Sequence, residues 1–307
     1  MTRPVLLDCD PGHDDALAIL LAHGCAELEL KAITAVAGNQ TLAKTALNAR
    51  RVASLAGIRG VPVAAGCDRP LLRELATAAG IHGESGLDGV DWPEPDVPLS
   101  RVHAVDLIIE QARSSGGELT LIPTGPLTNI ALALRREPRL PRWVREVVLM
   151  GGAFTRGNLT PAAEFNIAVD PEAAAIVFEA DWPVTMVGLD LTHQALAGPR
   201  VRARIRALDT PVGRAVDALL SNYAANHRRE GHTGAPPVHD PCAVAAVARP
   251  ELVRCEPAEI RVETRGELTS GMTVVDFTAR PGRAEVATRL DRTGFWDLML
   301  SALAGPA

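Results

Sequence analysis

The sequence predicts an α/β fold, Rossmann-like in plan: a mostly parallel central sheet flanked by helices, with a helical insertion near its ligand-binding end. Two observations carry this. Short apolar runs alternate with helical patterns from the N-terminus onward, as strands and crossover helices do. The polar residues of most chemical interest fall where the apolar runs stop, and ligands of such sheets gather at the carboxyl ends of strands.

Val5 to Leu7 reads as a buried strand. Asp14 to His23 carries Ala and Leu at helical spacing, and Gly24 ends the helix. Leu30 to Ala37 is a second strand, Leu42 to Leu55 a helix closed by Gly57, and Val61 to Ala65 a third strand. Asp68 to Ser100 is long and rich in Gly and Pro; loops of this length in compact domains are usually functional or disordered. Val105 to Ala112 is helical, Leu119 to Pro123 is a strand, and Thr128 is placed to cap a helix reaching Arg136. Val144 to Met150 and Val184 to Leu189 are strands with a helix, Pro171 to Glu179, between them. Gly198 to Pro237 reads as the helical insertion, and its helix over 215–229 carries Tyr223, His227, Arg228 and Arg229. Cys242 to Ala248 is helical, Pro257 to Thr278 forms two strands, and Gly294 to Ala302 is the last helix. No repeat or linker interrupts residues 1–307, so a single domain is expected.

Composition excludes several roles. Apolar residues make up 47%, enough for a large core. A formal net charge of -6 lacks the basic face that non-specific nucleic-acid binding requires. Aromatics at 3% supply few platforms for stacking single-stranded bases. The opening MTRPVLLDCD runs three apolar residues into carboxylates, unlike a signal peptide. No apolar stretch approaches the roughly 18 residues a membrane span needs. The five cysteines are scattered without a CxxC pair, so reduced, buried thiols in a cytoplasmic protein are expected.

DCDPGHDD places Asp8, Asp10, Asp14 and Asp15 within eight residues, where a strand turns into a helix. An acidic helix start needs no metal, because the macrodipole favours acids there. Four carboxylates around a Pro-Gly turn are another matter: their repulsion calls for a cation. Oxygen-only donors select a hard ion, calcium or magnesium, over zinc. A further acid lies in Val238-His239-Asp240-Pro241, where, taken alone, Asp240 reads more readily as a helix cap and His239 as a surface imidazole. Asn158 with Glu164-Phe165-Asn166 suits a sugar, since acid and amides grip hydroxyls beside an apolar ring. Polar groups also end other strands: Gly38-Asn39, Thr124-Gly125 and Met150-Gly151-Gly152.

Taken in order, DCDPGHDDALAILLA, AGN at 37–39, GIHGESGLDG, IPTGPLTN, LMGGAF, AEFNIAVDPEAA and HDP at 239–241 resemble the inosine–uridine nucleoside hydrolases over residues 5 to 248. The resemblance implies the nucleoside hydrolase fold, a homodimer or homotetramer, and hydrolysis of the N-glycosidic bond of small ribonucleosides, with no nucleic acid or membrane partner. It implies Ca2+ held by Asp10, Asp15, Asp240 and the Thr124 carbonyl, with Asp10 also the general base on a calcium-bound water. Asp14, Asn39, Met150, Asn158, Glu164 and Asn166 would hold the ribose. Phe165, His82, Tyr223 and His227 would surround the base, and His239 would donate a proton to it. Uridine and inosine are the expected substrates. Cys9 stands where the family often has Thr and is expected to point into the core.

Two other readings fit parts of the chain. A haloacid dehalogenase-type phosphatase also opens with a strand and DxD, but Gly12 sits where it prefers Thr or Val, and EFN and HDP go unexplained. A non-catalytic nucleoside-binding protein would keep the pocket without turnover.

Overall fold

The computed structural model describes residues 2–231, 233–279 and 282–305. Nine strands form one sheet in the order β3-β2-β1-β4-β5-β6-β9-β7-β8. They are β1 Arg3–Cys9, β2 Leu28–Ala35, β3 Val63–Ala65, β4 Leu119–Pro123, β5 Val144–Met150, β6 Val184–Val187, β7 Val253–Val262, β8 Thr273–Asp276 and β9 Ala284–Leu290. Strands β1 to β6 and β9 run parallel, while β7 pairs antiparallel with both β9 and β8. Twelve α-helical segments are described: α1 His13–Gly24, α2 Leu42–Leu55, α3 Ala79–His82, α4 Ala104–Ser114, α5 Thr128–Arg136, α6 Phe165–Val169, α7 Pro171–Glu179, α8 Leu189–Thr192, α9 Pro199–Arg206, α10 Pro211–Arg229, α11 Asp240–Ala248 and α12 Arg292–Ala304.

Both faces of the sheet are covered, which is why its parallel strands read as unbroken apolar runs. Alternation along β1 sends Val5, Leu7 and Cys9 into the core shared with α1, α2, α11 and α12. Leu6 enters the opposite core, shared with α4, α5 and α7. Cys9 is fully buried, as expected.

Helix α1 is buried from His13 through Ala22. A helix buried all round is fixed by its neighbours, and α1 packs against α11, α12, α2 and α10. The acids in its first turn are therefore held in place by core packing.

The chain leaves β1 for β2 and β3 on one side, then returns to β4 on the other. This reversal is a topological switch point, where the crevice beyond the strand ends takes ligands. Asp8 pairs with Pro123 across it, and the Thr124 N–H donates to the Asp8 carbonyl at 2.8 Å. The segments after β1 and β4 thus emerge side by side.

Most elements match the sequence reading. Thr128 is a correction: it is the first helical residue of α5, not its cap, and its hydroxyl donates to Asp170 at 2.6 Å. Strand β9 went unread because AEVATRL mixes charged and small residues on a half-exposed strand. The insertion is two helices, α9 and α10, closed by a bridge between Leu196 and Pro237.

Candidate active site

A cleft of about 1230 Å³ lies over the switch point. Every residue that the resemblance assigns to metal, ribose or base lines it except Asp10 and Asp15, which are fully buried.

Asp15 is the third residue of α1, and its Oδ2 accepts the Gly12 N–H at 3.0 Å and Asn39 Nδ2 at 3.2 Å. Its Oδ1 accepts the Thr124 hydroxyl at 3.0 Å and the Asp10 N–H at 3.3 Å. Residues after β1, β2 and β4 thereby converge on one carboxylate. Asp10 Oδ2 accepts the Asn39 N–H at 2.6 Å. Asp10 Oδ1 is buried and has no hydrogen-bond partner among the described residues. Gly38 and Gly125 make room for this carboxylate: a Cβ on either would stand 2.1 or 2.5 Å from its oxygens.

Asp240 opens α11, with His239 as the capping residue. Helices α1 and α11 pack against each other and bring their N-termini together. Ligand atoms of Asp14, Asp15 and Asp240 lie within 4.8 Å of one another. Burial, then the Asp15 charge, pushes the Asp10 carboxyl well above the usual range. Burial, then Asp14, pushes Asp240 well up and Asp15 to about 7. Such crowding is relieved by a cation.

The donor set fits a hard divalent ion. It is all oxygen, it includes an orphaned carboxylate oxygen, and the Thr124 carbonyl keeps a second lone pair beside the Asn166 Nδ2 it accepts at 2.9 Å. Asp8, grouped with these acids by sequence, is separate. Alternation turns it toward α5, and Thr34 of β2 and Asn129 of α5 donate to it at 2.6 and 2.8 Å.

The opposite wall begins with Glu164, the cap of α6. Its carboxylate accepts the backbone N–H groups of Gly152, Asn166 and Ile167 at 2.9 to 3.2 Å, and burial raises it to about 7. Asn166 Nδ2 also donates to the Met150 carbonyl at 3.1 Å, and Asn158 Oδ1 accepts the Phe165 N–H at 2.9 Å. At the far end His82, on α3, stacks on Tyr223 of α10 with ring centroids 5.5 Å apart. His227 meets Tyr223 edge-on at 5.8 Å. Burial pushes His82 down to about 3 and His239 to about 4.

Sequence reasoning missed His13, although it sits inside the DCDPGHDD motif. Its ring completes the stack, 5.6 Å from His82 and 5.3 Å from Tyr223. It also missed Asp190, which accepts the Phe154 N–H at 2.7 Å and the Thr155 hydroxyl, and so anchors the loop carrying Asn158. No periodic signal marks that residue.

The family model described as inosine-uridine preferring nucleoside hydrolase matches residues 5–297. The chain belongs to that family. It is 52% identical to an inosine-uridine preferring nucleoside hydrolase of Crithidia fasciculata, over 99% of this chain and 98% of that one. It is 49% identical to the pyrimidine-specific ribonucleoside hydrolase RihA of Shewanella woodyi, over 99% and 98%. Among solved structures it resembles a purine-preferring ribonucleoside hydrolase from Gardnerella vaginalis, with a TM-score of 0.93, 34% identity and 98% coverage of both chains. The nucleoside hydrolase fold and a hydrolytic activity on ribonucleosides follow, and the phosphatase reading is set aside. Among the described residues, no helix of this nucleoside hydrolase is long and apolar enough to cross a membrane.

Proposed function

We propose that the enzyme hydrolyses the N-glycosidic bond of ribonucleosides with Ca2+ in the acid cluster and Asp10 as general base, favouring uridine and inosine. One observation carries the reading: buried acids at the switch point face an acid-and-amide wall across a single cleft, with an aromatic–imidazole cluster at its end.

Asp10, Asp15, Asp240 and the Thr124 carbonyl would hold the cation. When bound, calcium supplies the charge that lets these acids ionise together, and it lowers the pKa of an adjacent water. A positioned base is still needed, and Asp10, whose Oδ1 has no protein partner among the described residues, would take the proton of the attacking water. Asp14, Asn39, Met150, Asn158, Glu164 and Asn166 grip the ribose. As the bond breaks, positive charge builds on the sugar, and the Asp14 and Glu164 carboxylates stabilise it. Phe165, Tyr223, His82 and His227 surround the base. His239, which lines the same cleft, would donate a proton to the leaving base.

The base preference rests on donors. Uracil leaves less readily than a purine, and several imidazoles plus a phenol supply hydrogen bonds to help it. The relatives' names divide between inosine-uridine, pyrimidine and purine. We further place the enzyme in the cytoplasm as a single-domain homodimer or homotetramer; its five free cysteines suit a reducing compartment. Ribose release from inosine, uridine, cytidine and adenosine, with and without calcium, tests the proposal. Nucleoside binding without ribose release would favour the non-catalytic reading. Adenosine outpacing uridine would overturn the base preference.

A further inference from the structure

We infer that Thr273 of β8 is a positioning residue for Glu164: it pins the Gly151-Gly152-Ala153 turn, so that the Gly152 N–H stays aimed at the Glu164 carboxylate. The hairpin β7–β8 contributes no residue to the lining of the cleft, yet it braces the ribose wall. The inference rests on the functional reading above for the role of Glu164, and on the contacts below for the tie.

Thr273 is buried on the edge strand of the sheet. Its Oγ1 accepts the Ala153 N–H at 2.9 Å and donates to the Ala153 carbonyl at 2.6 Å. A hydroxyl has one hydrogen and two lone pairs, so a single side chain can serve both backbone groups of a buried residue. Strand β5 ends at Met150, and Ala153 lies past its ladder. There, 120 residues away in sequence, Thr273 takes the place of a neighbouring strand.

The turn needs such a pin. Gly152 sits at φ +77°, a conformation glycine adopts without strain, and glycine also leaves the backbone free to leave it. A Cβ on Gly152 would stand 2.9 Å from Thr273 Cγ2 and 2.7 Å from Met186 Sδ, so Thr273 seats directly against this residue. The Gly152 N–H, one residue before the pinned Ala153, donates to Glu164 Oε2 at 2.9 Å. The same hairpin also touches the helix that Glu164 caps. Gly271, in its turn, approaches α6 so closely that a Cβ would stand 2.7 Å from Ala168 Cα. The turn that donates to Glu164 and the helix that Glu164 opens thus lean on one hairpin.

A carboxylate stabilises positive charge on a sugar best when it is held in place before the charge forms. Backbone N–H donors hold Glu164, and Thr273 fixes the one furthest from α6. Loss of the pin should slow bond cleavage whichever base departs, because the ribose is common to all substrates.

The test compares Thr273→Val and Thr273→Ser on uridine and on p-nitrophenyl riboside, with Thr273→Val also placed in a Glu164→Gln background. Thr273→Val should lower kcat by about 10-fold on both substrates, and Thr273→Ser should stay within about 2-fold of wild type. In the Glu164→Gln background the charge being positioned is gone, so Thr273→Val should change kcat by less than about 2-fold. Amide hydrogen exchange at Gly152 and Ala153, followed by NMR, should be about 10-fold faster in Thr273→Val than in wild type. A Thr273→Val enzyme at the wild-type rate, equal losses in the two backgrounds, or unchanged exchange would overturn the inference. If Glu164→Gln alone stayed within about 2-fold of wild type, the functional reading of Glu164 would fall, and the exchange rates would still decide whether Thr273 holds the turn.

Discussion

Asp14 and His239 stand 225 residues apart, and Asp14 Oδ2 accepts the His239 backbone N–H at 3.0 Å. This bond ties the first turn of α1 to the cap of α11. Two helix N-termini then face one acid cluster, the end of a helix where negative charge is best tolerated. Asp14→Ala leaves that N–H without its acceptor, which costs about 1–3 kcal/mol. Asp14→Asn keeps an acceptor oxygen and loses the charge. In saturating calcium, urea denaturation should show the Ala variant clearly less stable than the Asn variant, with both impaired in turnover. Equal stability of the two would mean that the tie does not matter.

Much of this site was legible because its pieces are either covalent neighbours or strand ends. DCDPGHDD announces an acid cluster by crowding alone. Asn39, Thr124 and Met150 announce themselves by ending apolar runs. Asp240 was readable only through resemblance, since by itself it is an ordinary helix-start acid. Asp8 shows where crowding misleads: adjacency in sequence said nothing about the pleat that turns it to Thr34 and Asn129. The contact between the Thr192 hydroxyl and His239 Nδ1, at 2.8 Å, was not legible at all, because the two residues stand 47 positions apart. Strand β9 was missed for a related reason: its pairing with β6 and β7 comes from tertiary context, not from its own pattern.

Asp10→Asn is the sharpest probe of the proposed chemistry. The amide can still accept the Asn39 N–H, so the loop should keep its shape. It cannot take a proton from water. Turnover should fall by about 10²–10⁴-fold, the usual contribution of a general base. Steady-state kinetics in saturating calcium would read this, with circular dichroism confirming the fold. A variant within a few fold of wild type would remove Asp10 from the role.

The two glycines against Asp10 make a separate prediction about the cation. Neither Gly38 nor Gly125 has positive φ, so Ala costs little in backbone strain at either position. The new methyl at Gly125 would press on Asp10 Oδ1 from 2.5 Å. Gly125→Ala should therefore fold, bind calcium about 10-fold more weakly and lose turnover at limiting calcium. Bound calcium should stabilise the wild type by about 2.7 kcal/mol when present at 100 times its Kd. Melting curves across a calcium titration read both effects. A wild-type melting temperature indifferent to calcium, with full activity after exhaustive chelation, would sink the metal assignment.

The buried histidines set the direction of a pH effect on stability. Burial lowers His82 to about 3, against 6.5 for the free side chain. Below pH 6.5 the unfolded chain takes up a proton that folded His82 refuses, so stability is full above that pH and is lost as pH falls toward the folded value. A cation nearby would lower His82 further and leaves the sign unchanged. The raised carboxyls Asp8 and Glu164, both near 7, act oppositely, losing stability as pH rises through the same window. The wild-type curve alone is therefore ambiguous, and a difference is needed. His82→Gln removes the titrating ring and leaves those carboxyls in place. Between pH 6.5 and 5, the wild type should lose about 1–2 kcal/mol relative to the Gln variant. Urea midpoints at pH 5, 6, 7 and 8 in saturating calcium would measure it. Parallel curves for the two proteins would mean that His82 titrates near its free value, and the stacked rings of His13, His82 and Tyr223 would then be more open to water than their burial implies.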